Sequence, residues 1–351
     1  MLLEKLTSAC GLPGFEDEVR DIIKEELKEH VDSIKVDRIG NLIVHKKGQK
    51  GKKGPKDPKD PKDSPHIVLS AHMDEVGLCI KGIERDGTLK FASWGVDSRI
   101  LPSMHVLVGK DKLKGVIGNK PIHLQKEAER KQVYDIDAMY IDIGCDSKEE
   151  VEKLVNKGDF AAFCSEFVEF GESKIKAKAL DDRVGCAAII EIMKMDLPIS
   201  VTGIFCVQEE VGLKGSAVVS KSLDADLVIN IEGTICADME GVDEHERVTT
   251  QGAGPCLSLM DMTSVYLKKY LEAIVKVADD EQIPYQYRQT GMGGTDAGSY
   301  HIGREGIPCI GIAVPCRYIH SPVSVMHKND YENLVKLIEA FIRKGAERVI
   351  G

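Results

Sequence analysis

The chain has 351 residues, 42% hydrophobic and 30% charged, with a formal net charge of −10. That balance fits a globular protein and argues against binding to a phosphate backbone, which an acidic surface repels. No apolar run approaches the roughly 20 residues of a membrane span, and the start MLLEKLTSACG lacks the pattern of a signal peptide.

A chain of this length supports a large core and two domains. Its ten cysteines are scattered with no CxxC pair, which leaves zinc-finger and thioredoxin-like readings without support. Reduced, buried thiols in a cytoplasmic protein are expected instead.

Apolar positions Val19, Ile22, Ile23, Leu27 and Val31 predict a helix over 15–31, with Pro13 and Gly14 ahead of it. Residues 34–45 alternate like two strands about the turn-prone Gly40 and Asn41. The stretch KKGQKGKKGPKDPKDPKDSP, residues 46–65, repeats PKD three times. Its proline, glycine and lysine cannot bury apolar area or complete a sheet, so a flexible loop is expected there.

HIVLSAH, 66–72, predicts a short apolar strand. From 76 to about 170 the pattern becomes β-rich, with a hairpin about Asp86 and Gly87 and further strands at 104–108, 112–117 and 138–143. One helix is expected in this section, over 147–157 from Ser147. After 172, helices at 183–195, 213–222, 263–279 and 330–347 are interspersed with strands at 201–207, 226–231 and 308–314.

Such alternation predicts an α/β fold: an α/β/α domain on a mixed, largely parallel sheet. Residues 1–75 and 169–351 would form it. Residues 76–168 would be a small inserted β-rich domain, barrel-like or PDZ-like.

In open α/β sheets ligands bind beyond the carboxyl ends of the strands. His72 and Asp74 follow the first apolar strand, Asp181 and Asp182 the segment 173–180, and Glu209 and Glu210 the strand at 201–207. Glu232 and His320 follow the last two. Taken singly, each has an ordinary reading: a helix cap, a solvated edge, a loop histidine. Taken together they place imidazoles and carboxylates at every strand end. So many carboxylates in one cleft raise each other's pKa, and divalent cations resolve that repulsion. Mixed imidazole and carboxylate ligands suit zinc, cobalt or manganese, in the manner of a two-metal hydrolase.

The motifs AHMDEVG (71–77), KALDDRVGC (178–186), VQEEVGLKGS (207–216), NIEGTICAD (230–238), GGTDAG (293–298) and RYIHSP (317–322) resemble, in order, those of the tetrahedral, TET-type metallo-aminopeptidases. That family includes glutamyl and deblocking aminopeptidases and members labelled endoglucanases. The resemblance implies two divalent metal ions per subunit. His72 and Glu232 would bind one, Glu210 and His320 the other, with Asp181 bridging both and followed by a cis peptide. Asp74 would orient His72, and Glu209 would be the general base. Many relatives have aspartate where this chain has Glu232, whose longer side chain still offers a carboxylate. Gly293, Gly294, Thr295 and Asp296 would form a loop near the substrate.

The implied activity is release of N-terminal residues from peptides by a metal-activated water. The implied partners are peptide substrates and further copies of the chain, as dimers building a dodecamer through the inserted domain. Neither nucleic acid nor a membrane is expected. Alternatives are a metal-dependent deacylase of N-acyl amino acids on the same scaffold, a glycoside hydrolase, or a non-catalytic assembly protein.

Overall fold

A computed structural model of the chain describes residues 1–49, 65–289 and 293–346. Most of the Lys/Pro-rich loop expected over 46–65 lies outside the described residues.

The strands Ile67–His72, Val201–Cys206, Leu227–Ile235 and Cys309–Arg317 are buried almost throughout. Their runs of Ile, Val and Leu suit a sheet covered on both faces, the usual setting of parallel strands. They lie in the order 201–206, 67–72, 227–235, 309–317, and all run parallel. Antiparallel strands extend both edges. Leu42–Lys46 and Ser33–Val36 lie on one side; Ser324–His327, Lys174–Ala177 and Val168–Phe170 lie on the other.

Side chains along Ile67–His72 alternate between two cores, as the two-residue period of a strand requires. Ile67, Leu69 and Ala71 join the larger core, which is covered by helices Leu2–Ser8, Asp17–Leu27, Leu180–Lys194, Lys268–Asp280 and Lys328–Ala340. Val68 joins the smaller, with Val219 from helix Lys214–Val219 and Ala297 and Tyr300 from helix Ala297–His301.

Between Gly77 and Phe163, six antiparallel strands close into a barrel. The barrel has its own core, which includes Leu78, Phe91, Val106, Ile117, Ile141 and Phe163. It enters the chain directly after Ile67–His72, through residues 73–76, so its first strand starts beside the carboxyl end of the parallel sheet. The architecture is therefore the expected mixed α/β sheet with an inserted β-rich unit, and that unit is a closed barrel.

Four helices are shorter than expected: 15–31 supplies Asp17–Leu27, and 213–222 supplies Lys214–Val219. Residues 147–157 supply one helical turn, Lys148–Val151, before the chain reverses at Gly158, where φ is +94°. The helix expected from 263 begins at Lys268, because a β-bridge joins Met260 to Val265 and the Asp261 carboxylate accepts from the Thr263 amide. The cysteines are free thiols and most are buried. Among the described residues no helix is long and apolar enough to cross a membrane.

The barrel core should behave as a packed interior. Phe91 is 0% exposed. Phe91→Ala is expected to lower the unfolding free energy by about 3–5 kcal/mol in urea titrations, the range for deleting a buried aromatic side chain. A loss under about 1 kcal/mol would mean that Phe91 is not packed as described.

Candidate active site

The parallel strands end on one edge of the sheet, and a cavity of about 420 Å³ opens there. His72, Asp181, Glu209, Glu210, Glu232 and His320 all line it. Residues spread over some 250 positions of sequence meet because register aligns the strand ends: Cys206 lies beside His72, and Glu232 beside Ala313.

Asp181 sits at the centre. Its Oδ1 is 3.4 Å from His72 Nε2, and its Oδ2 is 3.6 Å from His320 Nε2. Glu232 Oε2 lies 3.5 Å from His72 Nε2, and Glu210 Oε2 lies 3.6 Å from His320 Nε2. Two groups thus face opposite oxygens of one carboxylate. Atoms bound tetrahedrally to a zinc-sized ion at ~2.0–2.1 Å stand roughly 3.4 Å apart, so these spacings suit shared cations. Three sets bring ligand atoms within 4.8 Å of one another: His72, Asp182 and Glu232; His72, Glu209 and Glu210; and Asp181, Glu210 and His320. Asp181 Oδ1 is buried with no hydrogen-bond donor among the described residues. A buried acceptor left open in this way fits a cation as its partner. The peptide between Asp181 and Asp182 is cis, and both residues interrupt the helix Leu180–Lys194 at its start.

Surrounding groups fix these side chains. His72 Nδ1 donates to the Asp74 carbonyl at 3.1 Å, with the Asp74 carboxylate further off at 3.6 Å. That carboxylate is engaged elsewhere: it accepts from the Glu209 amide at 2.9 Å and the Glu210 amide at 3.0 Å. Glu16 Oε1 accepts from the preceding amide, Gln208, at 3.1 Å. Gln208 has φ +56°, so the chain reverses just before the two glutamates. Asp182 accepts from the His72 amide at 3.2 Å and the Gly185 amide at 2.9 Å. His320 Nδ1 donates to the carbonyl of Gly95, just past the barrel strand Leu89–Trp94, at 3.1 Å.

The electrostatics follow from burial and crowding. Burial pushes the Glu209 carboxyl well above the usual range, with Glu232, Asp296 and Glu210 adding to the rise against the pull of His72. Burial lifts Glu210 to about 7 against the pull of His320, and raises Glu232, where Asp182 adds to it. Burial also opposes the charge on Asp181, but the two imidazoles hold it below the usual range. The Asp181 carboxylate in turn raises His320 to about 9. For His72, burial works against the charged form, yet the Asp181 and Asp74 carboxylates hold it well above its ordinary value. A cation held here would reverse these shifts, because ligation needs ionised carboxylates and neutral imidazoles.

Gly293, Gly294 and Thr295 line the cavity. Asp296 does not. It is 0% exposed, and its Oδ1 accepts from the Ser216 hydroxyl at 2.5 Å, so it supports the loop from behind instead of facing a substrate. The first residues of GMGGTDAG, 291 and 292, lie outside the described residues.

Several residues around the site have no role in the sequence-based assignment. Asp182, Arg183, Lys178 and Glu75 stand inside the motifs, where neighbouring ligands drew the attention. Glu16 and Arg288 stand in no motif. Their signal is tertiary: both are buried charges, Glu16 beneath the 208–210 bend and Arg288 in the cavity wall.

Comparisons with known proteins identify the family. A putative aminopeptidase of Acetivibrio thermocellus is 38% identical, over 96% of each chain. An aminopeptidase from the archaeon Desulfurococcus kamchatkensis superposes with a TM-score of 0.91 at 36% identity, over 99% of this chain and 95% of the other. The Pyrococcus horikoshii TET1 peptidase, which can assemble into a tetrahedron or a large octahedral shell, gives 0.84 at 35% identity, over 98% and 100%. The family model for M42 glutamyl aminopeptidase matches residues 40–337, and the chain belongs to that family.

Proposed function

We propose that the chain is an aminopeptidase that uses two divalent cations, held by His72, Asp181, Glu210, Glu232 and His320, to release single N-terminal residues from peptides. The observation that carries this reading is the bridging pose of Asp181, one oxygen toward each imidazole. Bound there, zinc, cobalt or manganese would polarise the scissile carbonyl and lower the pKa of a water toward neutrality.

The chain's own groups do the rest. Glu209 lies beside the cluster on the cavity wall, its amide fixed by Asp74. It takes the proton from the attacking water and returns it to the leaving amine. Asp74 holds the backbone of both glutamates and, through its carbonyl, the ring of His72. The glycosidase alternative needs carboxylates ~5–9.5 Å apart across a sugar and leaves both imidazoles without a task.

The cavity wall also supports a preference. Arg288 is 7% exposed and lines the cavity, and among the described lining residues it is the one guanidinium or ammonium group. An acidic first residue would meet it. Outside the cavity, Leu259, Met260, Met262, Val265, Leu267 and Ile302 are exposed apolar residues close in sequence to wall residues. Exposed apolar side chains of this kind support self-association of the chain.

Three measurements test the reading. Glu209→Gln should retain bound metal and lose ~10²–10⁴-fold in kcat on an aminoacyl anilide. Activity near wild type would remove the base assignment. Chelator treatment should abolish activity, and adding back one metal at a time should restore it. Hydrolysis of N-acyl amino acids in preference to anilides would favour the deacylase.

Arg288→Ala should cut kcat/KM for a glutamyl anilide roughly 10–100-fold and leave a leucyl anilide nearly unchanged, as expected for one hydrogen bond to a charged group. Equal losses on both substrates would contradict a role in selectivity. Light scattering should give a particle several times the mass of one chain; a monomer would contradict the assembly.

A further inference from the structure

Behind the cleft, a buried ionic cluster joins the segments that carry it, and no step above uses that cluster. Lys178 is 3% exposed. Its ammonium donates to Glu75 Oε1 at 2.6 Å, to Glu75 Oε2 at 2.7 Å and to the Ala9 carbonyl at 2.7 Å, which uses all its donors. Glu75 Oε1 also accepts from the Gly11 amide at 3.1 Å and from Arg183 at 3.3 Å. Arg183, fully buried, donates from Nε to the Met73 carbonyl at 2.9 Å and from its other nitrogens to the carbonyls of Leu6, Ala9 and Gly11.

The grips fall on residues 73 and 75. Between them stands Asp74, whose carboxylate holds the Glu209 and Glu210 amides. The gripping side chains come from 178 and 183, on either side of Asp181. The cluster therefore ties the turn that carries Asp74 to the segment that carries Asp181. Fold stability alone does not call for such a cluster, because apolar replacement of a buried ion pair is often neutral or favourable.

We propose that Lys178 is a positioning residue for the peptidase reaction: by gripping Glu75 it holds the 73–75 turn against the 178–183 segment and sets the spacing of His72, Asp74 and Asp181. This rests on the metal-centre reading given above.

The test compares full-length wild type, K178M and E75Q/K178M. Thermal unfolding, kcat and KM on an aminoacyl anilide, and Co²⁺ titration followed by visible absorption are measured on each. K178M should lose roughly 10–100-fold in kcat and in Co²⁺ affinity, with KM changed less than about threefold, as for removal of a group that orients ligands. In E75Q/K178M the Tm should return toward wild type, because Glu75 Oε2, which loses its Lys178 donor in K178M, is no longer a buried carboxylate oxygen, while Arg183 keeps its carbonyl partners. Its kcat, cobalt affinity and cobalt spectrum should stay altered. The double variant carries the test where K178M alone does not fold.

Recovery of activity and cobalt binding together with the Tm would show that the cluster only stabilises the fold, and would overturn the proposal. So would wild-type kinetics and spectra in either variant. Failure of the metal reading looks different: wild type itself would bind no Co²⁺, or would keep full activity after chelation.

Discussion

One buried carboxylate shared between two imidazoles is the constraint on which the site depends. Asp181 can stay ionised in a buried cleft because His72 and His320 approach its two oxygens from separate sides. Removed from either imidazole, it would join Glu209, Glu210 and Glu232, all of which burial drives toward protonation. The ordering of these acids therefore comes from geometry. The carboxylate that meets both imidazoles is held down, and those that meet one are pushed up by burial.

The geometry is in turn a property of backbone amides. Three consecutive amides, at 208, 209 and 210, are captured by carboxylates from distant segments, Glu16 for the first and Asp74 for the other two. Asp182 captures the amide of His72. A parallel sheet delivers its strand ends to one edge but does not decide how the loops beyond them bend. Here buried acids do that work by accepting hydrogen bonds from the loops. Polar side chains are consequently dense behind the cleft as well as within it.

Much of this was legible in the sequence. The apolar runs at 66–72, 201–207, 226–231 and 308–314 were expected as strands, and each ends in or is followed by one of the polar residues that meet in the cavity; the structure extends the last two to Ile235 and Arg317. Helix lengths were less legible where a turn competes with apolar spacing, as the Asp261 turn does before Lys268. Asp296 misled for a related reason. A glycine-rich loop implies close approach to a ligand, but spacing does not say which of its side chains turns inward. Arg288 and Glu16 were invisible because a single buried charge makes no pattern until the chain around it is folded.

The bond from His320 Nδ1 to the Gly95 carbonyl crosses between two folding units, since Gly95 follows a barrel strand and His320 lies in the loop joining two strands of the sheet. When the ring is neutral, this bond keeps its one proton on Nδ1 and leaves Nε2 facing Asp181 and Glu210. Gly95 has φ +67°, and a Cβ there would lie 2.6 Å from Val76 Cγ1 and 3.3 Å from the ring nitrogen, so little but glycine is tolerated. The tautomer of one imidazole is thus decided by a unit with a separate hydrophobic core. The basicity of Nε2 therefore depends on how the barrel seats its Gly95 carbonyl against that ring.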